Sequence, residues 1–109
     1  MADFVEAALV DELPPGTSMV AKIAGKDVAL FNVDGTIYAI NDICAHDGSS
    51  LAAGELIGKI VRCRSHDWQY DVTTGELITA PGYGVASFEV KIVVGKIMVA
   101  IDETPKSRR

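Results

Sequence analysis

The sequence predicts an all-β fold, on three observations. Short runs rich in β-branched and aromatic residues are separated by turn residues, and no segment sustains a 3.6-residue apolar period. The third is Asp34-Gly35, a strong hairpin signal because both central positions of a type I′ turn require positive φ.

Taken in order, Phe4 to Val10 reads as a first strand, stopped by Glu12-Leu13-Pro14-Pro15-Gly16, since consecutive prolines cannot continue a ladder. Ser18–Ile23 and Asp27–Asn32 read as strands across the Ala24-Gly25-Lys26 turn, and Asp34-Gly35 joins Val28–Val33 to Thr36–Asn41. A long loop then runs from Asp42 to about Ile57, and Lys59–Arg62 leads into a second loop. Gln69–Val72 and Leu77–Thr79 flank a turn at Thr73-Thr74-Gly75, and Ser87–Val93 and Lys96–Ile101 close the chain around Gly95. No internal repeat or low-complexity stretch is present.

With 109 residues the chain is read as one domain over residues 1–105, followed by a basic, solvated tail at 106–109. Runs such as Ile97-Met98-Val99-Ala100-Ile101 are far too short to cross a bilayer. The start, Met1-Ala2-Asp3-Phe4-Val5-Glu6, lacks the basic and apolar segments of a signal peptide. A net charge of −5 argues against nucleic acid and anionic membranes as partners. The expectation is a diffusing, cytoplasmic monomer.

All of the chain's cysteines and histidines, two of each, fall into Cys44-Ala45-His46 and Cys63-Arg64-Ser65-His66. Two thiolates can hold one iron of a [2Fe–2S] cluster and two neutral imidazoles the other. Zinc is the main rival, because a Cys₂His₂ set is also an ordinary tetrahedral site. Common zinc modules pair like with like, whereas each motif here pairs unlike ligands, which suits two metals each drawing one ligand from each loop. A Cys44–Cys63 disulfide is a weaker rival in a cytosolic chain. Cysteine-nucleophile catalysis would leave the second Cys–His pair idle. No catalytic residues are assigned, and Gly82-Tyr83-Gly84 matches no phosphate-binding pattern.

Those residues make the chain resemble the soluble Rieske-type [2Fe–2S] ferredoxins of bacterial ring-hydroxylating oxygenase systems. The resemblance extends over nearly the whole sequence, through Leu51 and Gly54 after the first motif and Tyr70-Asp71 and Thr74-Gly75-Glu76 after the second. It implies an antiparallel β sandwich with a small cluster-binding subdomain at about residues 42–84, and a third loop beginning at Pro81. It further implies that Cys44 and Cys63 hold the inner iron while His46 and His66 hold the outer, more exposed one. Two departures stand out. The family's usual C-P-x-H-G reads Cys63-Arg64-Ser65-His66-Asp67 here, removing a fixed φ and a permissive position. The loops also lack the extra cysteines that staple the respiratory Rieske proteins, so packing and hydrogen bonds alone must hold them.

The positions that carry hydroxyls in high-potential members correspond to Trp68 and Tyr70. Trp68 has no hydroxyl and reads as packing; Tyr70 reads either as a donor to a cysteine sulfur or as a core residue. Asp47 and Asp67 each follow a predicted histidine ligand. A carboxylate ~8 Å from the cluster, at an effective dielectric of ~20 to 40, opposes an added electron by roughly 1–2 kcal/mol. That is on the order of 40–90 mV downward before screening. The expected role is a one-electron shuttle from a flavin-dependent NAD(P)H reductase to a non-haem iron ring-hydroxylating oxygenase. Its rivals are the small subunit of an assimilatory nitrite reductase and a structural zinc-binding interaction domain.

Overall fold

A run such as Val28-Ala29-Leu30-Phe31 has no polar alternation, and a strand of that kind is stable only if both its faces are covered. The computed structural model, which describes residues 4–23, 25–43, 49–63, 68–78, 80 and 82–100, shows this arrangement. Strand β3 (Lys26–Val33) lies between β2 (Ser18–Ile23) and β4 (Thr36–Asn41), and β4 pairs in turn with β8 (Ser87–Phe88). This four-stranded sheet is the middle layer. Val28 and Leu30 enter one core with Ile23, Ile37, Ile97 and Val99, while Ala29 and Phe31 enter a second with Leu51, Val61, Cys63 and Tyr70. Successive side chains of a strand point to opposite faces, so one strand serves both cores.

The first core is closed by a sheet in the order β1 (Phe4–Leu9), β10 (Lys96–Ala100), β9 (Val90–Val93). The second is closed by a small sheet of β5 (Glu55–Ile57), β6 (Ile60–Arg62) and β7 (Gln69–Asp71). Every strand pairing among the described residues is antiparallel. The all-β, antiparallel expectation is therefore what the described residues form.

Several elements match their sequence signals closely. Asp34 and Gly35 have φ of 53° and 95°, the positive pair that a type I′ turn demands. Asn32, one residue before the strand ends, is buried yet satisfied. Its Oδ1 accepts the Gly35 N–H at 2.8 Å and its Nδ2 donates to the Leu13 carbonyl at 2.7 Å.

Several boundaries differ, among them the start of β3, at Lys26 rather than Asp27. The first strand ends at Leu9, and Val10–Glu12 forms a 3₁₀ turn in which Glu12 accepts the Leu9 N–H at 3.0 Å. The long loop expected over Asp42–Ile57 ends early, because Glu55–Ile57 pairs with Ile60–Arg62 across a turn at Gly58. Leu77 makes only an isolated bridge to Tyr70 rather than starting a strand, and Thr79 lies outside the described residues. Ser87–Val93 is two strands: Ser87–Phe88 pairs with β4 and Val90–Val93 with β10, so the chain changes sheets at Glu89. Ile101 and the basic tail at 106–109 also lie outside the described residues. No helix among them is long and apolar enough to cross a membrane.

Candidate metal centre

Strand β6 delivers the chain directly to Cys63, and β7 takes it away from Trp68. The Cys63 N–H donates to the Trp68 carbonyl at 2.7 Å, one step beyond the Arg62–Gln69 pair. Cys63 thus sits at the last paired step of the β6–β7 ladder before residues 64–67. Its side chain is fully buried in the second core, beside Phe31, Leu51, Val61 and Tyr70. His66, with Arg64, Ser65 and Asp67, lies outside the described residues.

The first motif has an equally defined root. Ile43 bridges Ser50, closing a loop over residues 44–49, and the Leu51 N–H donates to the Asp42 carbonyl at 2.7 Å. Leu51 is fully buried against the same core as Cys63. Cys44, His46 and Asp47 lie outside the described residues. Of the four predicted ligands the structure therefore places Cys63, and it places the stems that carry the other three. Among the described residues no three His, Cys, Asp or Glu side chains gather to hold a metal.

Gly54 lets the two stems approach. A β-carbon there would collide with the Arg62 carbonyl oxygen, one residue before Cys63. The same register puts Glu55 opposite Arg62, where the two side chains form an ion pair. Both partners are substantially exposed, so the pair sets register more than it stabilises.

A third segment is strapped alongside. The Ile78 N–H donates to the Gln69 carbonyl at 2.8 Å, the Tyr83 N–H to Ala80 at 3.0 Å, and the Leu77 N–H to Tyr83 at 2.9 Å. Gly75 and Gly84 let this segment cross the preceding turn, each lacking a side chain where the other's backbone region passes. Pro81 itself lies outside the described residues. Tyr83 has both backbone groups bonded while its side chain is 72 % exposed, an anchored aromatic facing solvent.

Tyr70 is fully buried with its ring in the second core, and Trp68 packs half-buried against it. The packing reading of Trp68 holds, and the Tyr70 ring belongs to the core. The sequence reading passed over Asp42, which is 3 % exposed and accepts from the Ser50 hydroxyl at 3.0 Å and the Ala52 N–H at 2.8 Å. Nothing local marks it; its partners become visible only once the loop is closed.

The donor set suits an iron–sulfur cluster. Its one placed member is a thiol shut away from water at a hairpin root, and the remaining thiol and imidazoles belong to loops rooted in the same core. Comparison with known proteins decides the matter. Residues 3–89 match the Rieske [2Fe-2S] domain model. The chain belongs to the Rieske [2Fe–2S] domain family. It is 31% identical, over 92% of its length and 97% of the relative's, to the ferredoxin component of the naphthalene 1,2-dioxygenase/salicylate 5-hydroxylase systems of a Ralstonia species. A solved complex of reduced oxygenase and oxidized ferredoxin in carbazole 1,9a-dioxygenase contains a similar chain. That match has 27% identity and a TM-score of 0.84, covering 93% of this chain and 95% of the other. The small subunit of a putative NADH-dependent nitrite reductase from Mycobacterium tuberculosis has a TM-score of 0.86 at 21% identity, over 95% and 99% of the two chains, and shows the fold alone.

A Rieske domain takes a [2Fe–2S] cluster as its cofactor, so the zinc reading falls. Relatives of this Rieske domain serve as ferredoxins, which carry electrons and leave the chemistry to the enzyme they supply.

Proposed function

We propose that this Rieske ferredoxin carries single electrons from a flavin-dependent NAD(P)H reductase to a non-haem iron ring-hydroxylating oxygenase, in the breakdown of aromatic compounds. The observation that carries the reading is the alignment of 97% of a curated ferredoxin component onto this chain. The solved oxygenase–ferredoxin complex, with its similar chain, supports an oxygenase as acceptor. The cluster would supply a site that accepts and releases one electron.

Cys44 and Cys63 are the ligands of the inner iron and His46 and His66 those of the outer iron. The complete burial of Cys63 supports its inner position. Residues 42–84 make up the cluster-binding subdomain within a domain over 1–105, and 106–109 is a solvated tail. The second core shields the Cys63 side chain from water. Tyr83, held by both its backbone groups and exposed, offers a partner an aromatic contact, and aromatic side chains dominate interface energetics. The protein acts in the cytoplasm as a monomer that meets its two partners in turn.

Reconstitution tests this. NADH, a reductase and a ring-hydroxylating oxygenase should form product only when this protein is added, and Cys63→Ala should not replace it. Failure to accept electrons from any flavoprotein reductase, with tight co-purification in a larger reductase instead, would move the assignment to an enzyme subunit.

A further inference from the structure

Among the described residues Asp42 is the one buried residue with an ionisable carboxyl. Burying a carboxylate is unfavourable unless it is well hydrogen-bonded, so its position calls for a reason. Its bonds supply one. Asp42 is the last residue but one before Cys44, on the outgoing stem of the first ligand loop. Its Oδ1 reaches across to the returning stem, accepting from Ser50 Oγ at 3.0 Å and from the Ala52 N–H at 2.8 Å. Its carbonyl accepts the Leu51 N–H at 2.7 Å, and its own N–H donates to Asp27 of β3 at 2.9 Å. The returning stem is tied once more, because Ser18 Oγ of β2 donates to the Ala52 carbonyl at 2.8 Å.

The Asp42 side chain thus joins the two stems to each other, while its backbone N–H and the Ser18 hydroxyl tie them to the sandwich. Both bonds are shielded from water, in surroundings where a hydrogen bond is electrostatically stronger than in solvent. The loops have no cysteine to staple them. We propose that Asp42 is a positioning residue that fastens the first ligand loop, holding Cys44 and His46 in place for the cluster. The proposal rests on the ligand reading above.

The test uses the holo-protein and two readouts: amide hydrogen exchange at Leu51 and Ala52, and the rate of iron release to a chelator. Asp42→Ala should speed both by about tenfold, the scale of the two buried side-chain bonds lost. Asp42→Asn keeps an acceptor oxygen of the same shape and should restore both to within about threefold of the unmodified protein. Ser50→Ala, which removes one of the two side-chain bonds, should fall between. Asn32→Ala cuts a buried bond away from the loop and should leave iron release unchanged. Unaltered exchange and iron release in Asp42→Ala would overturn the proposal, as would Asp42→Asn behaving as badly as Asp42→Ala. If Asp42→Ala does not fold, Ser50→Ala decides, and unchanged exchange at Ala52 would overturn it. An unmodified protein that binds no iron would instead sink the ligand reading, while the exchange comparison would still report on the fastening.

Discussion

Replacing glycine by alanine at an ordinary backbone angle usually stabilises a protein by about 0.4–1 kcal/mol, because it restricts the unfolded chain. Gly54→Ala should do the opposite. Gly54 has no positive φ to strain an alanine, so the backbone itself is no obstacle. The obstacle is the Arg62 carbonyl, into which the new methyl would project, with the Leu51 carbonyl a further 3.2 Å contact. Neither is the movable end of a side chain. Accommodating the methyl requires separating the stem after the first ligand loop from the strand that leads to Cys63. Overpacking of that kind costs roughly 1–3 kcal/mol. Set against the unfolded-state gain, the net loss is about 1–2 kcal/mol, a fall in Tm of roughly 5–10 °C for a domain of this size. Matched-rate thermal scans by far-UV circular dichroism measure it, with iron per chain determined on the same samples. A Tm equal to or above that of the unmodified protein would refute the close approach of the two stems.

Val94 offers a contrast in sign. It is a β-branched residue at φ 50°, 92 % exposed, in the turn between β9 and β10. Val94→Asn should relieve about 1 kcal/mol of left-handed strain and raise Tm by roughly 3–6 °C without altering the reduction potential. Cys63→Ala should abolish the visible absorbance and leave less than a tenth of the iron, as judged by metal analysis, with roughly 10-fold faster exchange around the vacated root as its companion. Asp67→Gly, which restores the family's usual residue, should raise the potential by some tens of millivolts at low salt and less at high salt, read by redox titration.

Much of the fold was legible because two strands needed only local information. Ser18–Ile23 and Thr36–Asn41 have the boundaries their composition indicates, and Asp34-Gly35 fixes its hairpin by backbone preference alone. The sheet change at Glu89 was not legible, since Ser87–Val93 reads as one β run and the exchange of partners is set by where β4 and β10 lie. Glu55–Ile57 was hidden by its length: three residues carry too little alternation to register, and they pair only because Gly58 turns them onto Ile60–Arg62. At the site, the order and spacing of Cys44, His46, Cys63 and His66 announced the cluster. Gly54 stood out as a family mark, but its reason, the Arg62 carbonyl, is tertiary. Asp42 was not legible, because its partners at Ser50 and Ala52 meet it only after the loop has closed.

The central claim is that two histidines and two cysteines share one [2Fe–2S] cluster that carries one electron. The chain has two histidines in all, which makes the claim directly measurable. Protein labelled with ¹⁵N in histidine alone should be reduced by one electron and studied by pulsed electron paramagnetic resonance. The account predicts one unpaired spin for every two irons, with strong coupling to two distinct histidine nitrogens. A single nitrogen coupling, no nitrogen coupling, or a colourless, spin-silent protein holding one zinc would contradict it.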